Sequence, residues 1–323
     1  MNVRTFNVGV IGLGGWGRKI LEEYAKIPEV RVTGVVDPAP KQLAYAAERY
    51  GIKRAHEEPR ALFADPATTA VHIAAPNAEH FKIAEAALQA GKHVLVEKPM
   101  CQTSAEAHRL VEIAERENLT LSVGHIYRFN SAIIELRRLL SEAFFGPVYM
   151  VELRWSNLER AFEDRDVVMD LAPHIVDILN FLLGTWPSAV SCSGGSFRRA
   201  AQDEAVSMWF EFDRGTRAHA IASWLIPPKT RRLLIAGENR SAGVDMLTQE
   251  IAVQESGYQY RLAVERNNTI HDELIHFIKS VGDPLTETRN SGLLGAQVMD
   301  VLEALRVSKT SRKSVNVSIQ GAS

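Results

Sequence analysis

The chain opens on a short, unbroken apolar run, "FNVGVIGL" at 6–13. A strand covered on both faces has this pattern. Beyond it, Ile20, Leu21, Tyr24 and Ile27 fall on one helical stripe. The alternation then repeats. "VRVTGVVD" is a strand ending at Asp37, and helical spacing runs from Leu43 to Tyr50. "AVHIAAP" is a strand, "AEHFKIAEAALQAG" a helix and "KHVLVE" a strand. Thr103 and Glu106 form a capping box ahead of a helix bearing Ala107, Leu110, Val111 and Ala114, and "LTLSVGH" closes the series. Strands alternating with helices predict an α/β domain with a doubly wound parallel sheet and helices on both faces.

After His125 the period changes. "GPVYMVELRWSNL" alternates over a long stretch, and "AVSMWFEF" and "RAHAIASWL" flank "DRGT", a hairpin signal. "TRRLLIAGE" and "SAGVDML" continue the strands. Together they predict an α+β domain with an open, mostly antiparallel sheet. Helices follow near 268–280 and 291–308, and one helix at about 168–183 interrupts the strands, with Leu171, Ile175, Ile178, Leu179 and Leu182 as its apolar stripe. The expected domains are 1–124 and 125–323. No linker composition separates them, which predicts a packed interface with a cleft.

A length of 323 residues suffices for two cores, and a formal net charge of −2 shows no footprint for nucleic acid or membrane. Only Cys101 and Cys192 occur, without metal-ligand spacing, so the expectation is no metal, reduced thiols and a cytoplasmic location. The sequence shows no signal segment, membrane-length apolar run, internal repeat or low-complexity tract.

The "GLGGWG" loop at 12–17 lies between a strand and a helix, and Asp37 stands twenty residues beyond Gly17. This is the Rossmann dinucleotide fingerprint in its structural context. Gly12 permits the tight turn, Gly14 lets backbone approach a pyrophosphate, and Gly17 allows close helix–strand packing. Gly15 and Trp16, in the same loop, are further cofactor candidates. The helix start supplies N–H groups and partial positive charge. Asp37 accepts from a ribose diol and repels a 2′-phosphate, which favours NAD; Lys41 nearby keeps NADP open. Ligands of such sheets bind outside the carboxyl ends of the strands. Pro76, Asn77 and His80 follow one such end, and Glu97, Lys98 and Pro99 follow another. A lysine there reaches the reacting end of a cofactor. The alternative is a strand fraying into a turn with an exposed ion pair, and a cis Lys98–Pro99 bond stays open. In the helix near 168, Asp170 and His174 are four apart and share a face, with Asp177 placed to orient the histidine ring. Pro173 is tolerated in a first turn, which puts Asp170 near the N-cap. In the competing reading Asp170 only caps and His174 is a core histidine.

In order and spacing, GLGGWG, Glu97-Lys98-Pro99 and the D-x-x-x-H of Asp170 and His174 resemble the glucose–fructose oxidoreductase, inositol dehydrogenase and rhizopine-catabolism family (Gfo/Idh/MocA) over nearly the whole chain. The resemblance implies an NAD(P)-binding first domain and a second domain whose open sheet makes homodimer or homotetramer contacts. It places Lys98 near the nicotinamide and makes His174 the acid/base. Asp170 would position Lys98 or the substrate hydroxyl. His125, Arg128, Asn130 and Arg165, with Asp170 and His174, are candidates to line the sugar pocket, although His125, Arg128 and Asn130 equally suit a domain junction. "EDRDVVMD" at 163–170 stands where many members carry glycines. "VGHIYRFN", "DLAPH" and "TRRLLIAGENRSAGVDMLTQE" look like members acting on nucleotide-linked sugars, of the UDP-N-acetylglucosamine 3-dehydrogenase type. The expected reaction is hydride transfer between a nicotinamide and a sugar secondary alcohol, the 3-position favoured. The alternatives are an inositol or free-sugar dehydrogenase, a redox-neutral NAD-dependent glycosidase, and a dinucleotide-binding regulator without catalysis.

Overall fold

The structure, a computed structural model, describes residues 5–321 apart from 161, 163–164, 199–201, 284–285 and 287. Contacts divide the chain into two units, 1–125 with 270–296, and 126–269 with 297–323.

The first unit begins β1 (Phe6–Ile11), α1 (Gly15–Tyr24), β2 (Val30–Val36), α2 (Pro40–Tyr50), β3 (Ala55–His56), α3 (Arg60–Ala64), β4 (Ala70–Ile73), α4 (His80–Gln89), β5 (His93–Val96), α5 (Ser104–Arg116) and β6 (Leu121–Val123). Its sheet runs β3-β2-β1-β4-β5-β6 with every pair parallel. This is the doubly wound order, which reverses between β1 and β4 and opens a crevice at the carboxyl ends there. Val8, Val10, Val71 and Leu95 are fully buried because helices cover both faces, hence the continuous apolar strands. Ile20, Leu21 and Tyr24 of α1 pack on Val8, Val10 and Val35. The Thr103–Glu106 capping box is present at α5.

The second unit holds α6 (Ser131–Ser141), β7 (Val148–Leu158), α7 (Val167–Leu183), β8 (Ala189–Gly195), β9 (Ala205–Glu211), β10 (Arg217–Ser223), β11 (Leu225–Gly237), β12 (Ser241–Asp245), β13 (Glu250–Glu255), β14 (Tyr258–Leu262) and β15 (Val315–Asn316). The strands form one sheet, β14-β13-β12-β11-β7-β10-β9-β8-β15. All its pairs are antiparallel except β7 with β10. Helix α7 packs on β7, β9 and β10. Ala218, Ala220 and Ala222 of β10 are buried and small, so the helix can lie close. On the other face Trp209 and Leu234 stay 44% and 53% exposed. Strand β11 starts five residues before the expected Thr230. Its ladder with β7 is interrupted between Leu225 and Thr230, where Pro227 and Pro228 have no N–H to give. Strands β8, β13 and β14 and helix α6 were not anticipated. Residues 258–261 of β14 are exposed, so no alternation marks the strand.

Two expectations are corrected. The first concerns the start of α7. Its N-cap is Asp166, whose carboxylate accepts from the Met169 N–H at 2.9 Å. Asp170 sits in the first turn instead. Pro173 lies in the second turn, inside the helix, where it leaves the Met169 carbonyl without its usual donor. Of the "EDRDVVMD" segment, Glu163 and Asp164 lie outside the described residues.

The second concerns the division at 124/125. Helix α8 (Thr269–Gly282) and the start of α9 (Gly292–Ser311) belong to the first unit. Ile270, Leu274 and Phe277 join the cluster around Val8, Val10 and Leu95, and the Phe277 ring meets Phe6 edge-on at 6.1 Å. Asn290 donates to the Val123 carbonyl at 2.7 Å and accepts through its own carbonyl from the Val123 N–H at 2.9 Å. The apolar stripe of α8 is legible in sequence, but nothing along the chain says which core receives it.

Candidate active site

In the first unit, backbone conformation explains the glycine loop. Gly12 has φ +89°, and a Cβ there would lie 2.6 Å from the Ala74 carbonyl oxygen. A Cβ on Gly17 would lie 2.8 Å from the carbonyl carbon of Gly12, so helix and turn touch through bare backbone. At Gly14 and Gly15 a Cβ would meet nothing within 4 Å. Gly14 caps α1 without a side-chain hydrogen bond, and no acid lies in the first turn. An open, acid-free helix start with N–H groups to give fits a pyrophosphate. Asp37, 8% exposed, accepts from Leu13 N–H at 2.7 Å through one oxygen and from Ala39 N–H at 2.9 Å through the other. The carboxylate thus braces the loop, and each oxygen keeps a lone pair for a ribose hydroxyl. The Arg18 guanidinium lies 4.0 Å over the Tyr45 ring and its Nε donates to Gln42, while Lys41 is exposed.

The strand ends hold the other candidates. Pro76 leads into a single 3-10 turn at Asn77–Glu79. Asn77 is buried, and its Nδ2 finds no hydrogen-bond partner among the described residues. A buried donor left over at this crevice suits a bound ligand. His80 does not fit the expected cofactor contact. It is 1% exposed, and its ring lies between the carbonyls of Pro99, 2.8 Å from Nδ1, and Ala75, 2.9 Å from Nε2. Both nitrogens face protein oxygens, so the ring has none left for a ligand. Trp16 is half-buried, and Lys98, half-buried, follows Glu97 directly; the Lys98–Pro99 peptide is cis. Glu97 is 6% exposed and accepts from His72 Nε2 at 3.2 Å. Burial alone would raise its carboxyl. The pull of His72, with lesser help from the Trp16 indole and the Lys98 charge, outweighs that and holds it below the usual carboxylate range.

In the second unit His174 is half-buried on α7. Its ring stacks on Trp155 at 5.3 Å and 22°, and Tyr127 meets it edge-on at 5.2 Å. Two aromatic faces fix the plane of the imidazole. Arg231, 7% exposed, lies 4.8 Å from the Trp155 ring. It donates to the carbonyls of Ser156 and Thr230 and to Asn157 Oδ1 at 3.0, 2.8 and 3.3 Å. Burial pulls its pKa down, yet an arginine stays charged. One turn before His174, Asp170 accepts from Arg165 Nε at 3.2 Å and from Trp224 Nε1 at 3.0 Å. Arg165 also lies 4.0 Å over the Phe162 ring. Asp170 is therefore held through both oxygens and does not cap the helix.

Three further candidates for the pocket are buried. Arg128 is buried, donating to Asp177 at 2.5 Å and to Asn180 at 2.7 Å. Asp177, expected to orient His174, thus carries the Arg128 ion pair. Asn130 caps α6, accepting from Ile133 N–H at 3.3 Å, and donates to the Met246 carbonyl at 3.1 Å. An Asn directly before "SAIIELRRLL" was a cap signal already visible in the sequence. His125 is 1% exposed and ends the first unit's leading segment. Sequence reasoning missed Trp155, Tyr127, Trp224, Arg231 and His72. Alternation marks Trp155 as inward-facing, but no linear spacing ties it to a helix residue. Among the described residues no His, Cys, Asp and Glu group could hold a metal ion, and no helix is long and apolar enough to cross a membrane.

A Rossmann unit with an open pyrophosphate cradle, in one chain with a large open sheet packed by a helix that carries an aromatic-held histidine, is the construction of a nicotinamide-dependent oxidoreductase. Residues 6–125 match the oxidoreductase family with NAD-binding Rossmann fold, and residues 133–242 match the GFO/IDH/MocA C-terminal domain. The chain belongs to the Gfo/Idh/MocA oxidoreductase family, whose first domain binds NAD. It is 34% identical over 249 residues to the UDP-N-acetylglucosamine 3-dehydrogenase of Acidithiobacillus ferrooxidans, a match covering 77% of each chain. The solved structure of an enzyme of that name from that organism is similar at TM-score 0.85 and 28% identity, over 95% of this chain and 98% of the other. A levoglucosan dehydrogenase solved with NADH shares the fold at TM-score 0.88 and 20% identity, over 97% and 99% of the two chains.

Proposed function

We propose that this oxidoreductase interconverts a sugar secondary alcohol and its ketone, and that the sugar is nucleotide-linked, with the 3-hydroxyl as the reacting group. The observation that carries the reading is His174. Its ring plane is set by Trp155 and Tyr127, one turn after an Asp170 anchored at both oxygens. Gly12, Gly14, Gly15, Gly17 and Asp37 would hold the dinucleotide, with Trp16, Pro76, Asn77, Glu97, Lys98 and Pro99 toward its nicotinamide end. Bound NAD supplies the hydride acceptor, and NADH the donor, at C4 of the nicotinamide. His174 takes the hydroxyl proton as general base and returns it in the reverse direction. The Lys98 ammonium donates a hydrogen bond to the same oxygen and stabilises the charge that develops there. Asp170 positions these groups. Asp37 makes NAD the better ligand than NADP.

The nucleotide-linked substrate is supported by the 34% identity to an enzyme named for UDP-N-acetylglucosamine and by the buried cation Arg231 and the partly exposed Arg165 around Trp155, Asp170 and Phe162. The uncovered sheet face with Trp209 and Leu234 is the surface for a second copy of the chain. Two buried free thiols, Cys101 and Cys192, accord with a cytoplasmic location.

The test is a screen of UDP-N-acetylglucosamine, other nucleotide sugars, free sugars and inositols, with NAD and NADP. Stoichiometric growth of reduced-nicotinamide absorbance is expected on a nucleotide sugar with NAD. Lys98→Met and His174→Ala should each lower turnover by about two to four orders of magnitude while keeping NAD binding. A fully active His174→Ala, or activity confined to uncharged sugars, would end this reading.

A further inference from the structure

The turn that carries Lys98 has a buried histidine on each side, and the reaction chemistry uses neither. His72, on β4, is fully buried and donates from Nε2 toward the Glu97 carboxylate at 3.2 Å. Its other nitrogen, Nδ1, lies 3.3 Å from the Tyr24 hydroxyl. Tyr24 is fully buried, and burial, reinforced by the charges of Glu273 and Glu97, pushes its phenol well above the usual range, so the phenol keeps its proton. In the tautomer that gives the Nε2 proton to Glu97, Nδ1 is an acceptor and the Tyr24 hydroxyl donates to it. A backbone contact closes the same corner, since the Glu97 N–H donates to the Ile73 carbonyl at 2.9 Å, one residue along β4 from His72. On the far side of Lys98, the Pro99 carbonyl lies 2.8 Å from His80 Nδ1. The opposite nitrogen of that ring faces the Ala75 carbonyl at 2.9 Å, in the loop that leads to Asn77; the neutral ring has one N–H, and the tautomer that carries it on Nδ1 donates to Pro99.

Neither histidine can touch substrate or cofactor, being 0% and 1% exposed. Burying an imidazole on a β-strand costs more than burying a valine unless its nitrogens are used. Here their partners are the residues immediately before and after Lys98. We propose that His72 and His80 are positioning residues for the reaction, holding the Lys98 turn from its two sides, His72 through the Glu97 carboxylate and His80 through the Pro99 carbonyl. The inference rests on the reading of Lys98 as a catalytic residue, and it assigns His80 a role other than the cofactor contact that its place in the sequence suggests.

The test reads the state of Lys98 without a substrate. The full-length, NADH-loaded protein is labelled with trace acetic anhydride, and the acetylation rate of Lys98 is measured by mass spectrometry against exposed Lys53. Four variants separate donor chemistry from bulk. His72→Gln keeps a donor near Nε2 and His72→Leu removes it. His80→Asn keeps a donor near Nδ1 and His80→Leu removes it. Loss of one hydrogen bond that holds a turn changes the population of that turn by up to roughly tenfold. Each leucine variant should therefore shift the relative Lys98 rate by about that factor, with NADH affinity changed less than about threefold, and each amide variant should restore it. An unchanged Lys98 rate in both leucine variants, or amide variants as altered as the leucine ones, overturns the proposal. If the leucine variants do not fold, Tyr24→Phe removes only the hydroxyl that holds the His72 ring; a shift of a few-fold is expected, and no shift overturns the His72 arm. Labelling needs no turnover, so its failure is distinct from failure of the functional reading, which Lys98→Met decides in the substrate screen.

Discussion

Three glycines of one loop should respond differently to the same methyl group. A Cβ on Gly17 would stand 2.8 Å from the carbonyl carbon of Gly12 and closer still to its oxygen. Close C···O contacts are about 3.3 Å, so relieving the clash with that oxygen in Gly17→Ala forces helix α1 and the turn apart by roughly 1.5 Å. Overpacking of this kind costs about 1–3 kcal/mol, or roughly 3–10 °C in melting temperature for a unit of this size. At Gly14 the same methyl meets nothing within 4 Å, and the backbone there, φ −62° and ψ −171°, is open to alanine. Gly14→Ala should therefore cost about 0.5–1 kcal/mol, the difference between glycine and alanine at an N-cap. In the proposed cofactor site its methyl enters the space of the pyrophosphate, so NADH should bind at least about tenfold more weakly, a loss of about 1.4 kcal/mol. Gly15→Ala, also in open space, should leave stability unchanged or slightly raised, because alanine favours the helix. Melting curves of the ligand-free protein and NADH fluorescence titrations on the same samples separate the two effects. A Gly14→Ala variant with undiminished NADH affinity refutes the approach of ligand to bare backbone. A Gly17→Ala variant with unchanged melting temperature refutes the packing argument.

Residues 1–125 expressed alone should fail to form a stable NADH-binding unit, because Ile270, Leu274 and Phe277 of α8 complete its core; Leu274→Ala in the full chain should cost about 2–5 kcal/mol by denaturant unfolding, and a cooperative, NADH-binding 1–125 fragment would contradict this. Burial lowers the folded-state pKa of His80, His93 and His276, so the unfolded chain binds more protons as pH falls below the ordinary imidazole value of 6.5. Stability is then full above about 6.5 and declines below it, and a melting temperature flat from pH 7 down to 5 would count against these assignments. Burial alone would raise the Glu204 carboxyl, but the N–H groups of Arg198 and Phe197 and the Arg198 guanidinium hold it at about 2, so its contribution is present above the ordinary value of 4.5 and lost as pH falls toward 2. Asp166→Ala removes the α7 cap and should lower stability by about 1 kcal/mol with turnover per folded molecule kept, whereas Asp170→Asn should lower turnover; kinetics and melting on the same samples check both, and the reverse pattern would restore Asp170 as the cap.

What could be read along the chain was whatever local periodicity encodes. The β1 run, the stripe of α1, the glycine turn and the Thr103–Glu106 cap each lie within one or two turns of their partners, so sequence spacing is spatial spacing. The misreadings share the opposite property. Asp170 was assigned to the helix start because Pro173 was taken for a first-turn residue, yet seventeen residues of packed helix tolerate the missing N–H in the second turn. Arg128 was read as either a pocket or a domain-junction residue, and its carboxylate partner Asp177, 49 residues away, is invisible to any window. Helix α8 has an unambiguous apolar stripe, but the strand residues it packs with, from Val8 to Leu95, lie at least 175 residues earlier.

The same limit explains why the polar members of the site were harder to find than its glycines. Val8 or Leu95 is buried in any arrangement that makes a sheet. A buried histidine such as His72 or His80 is affordable only where particular acceptors converge on it. Such residues break the pattern of the element that bears them: His72 interrupts the apolar β4, and His80 opens α4 with no exposed face. A pattern-breaking polar residue whose nitrogens end on the neighbours of Lys98, the proposed catalytic lysine, has a physical reason to be there. A valine at position 72 would pack as well and leave the Glu97 carboxylate, buried beside Lys98, without the donor that keeps it charged.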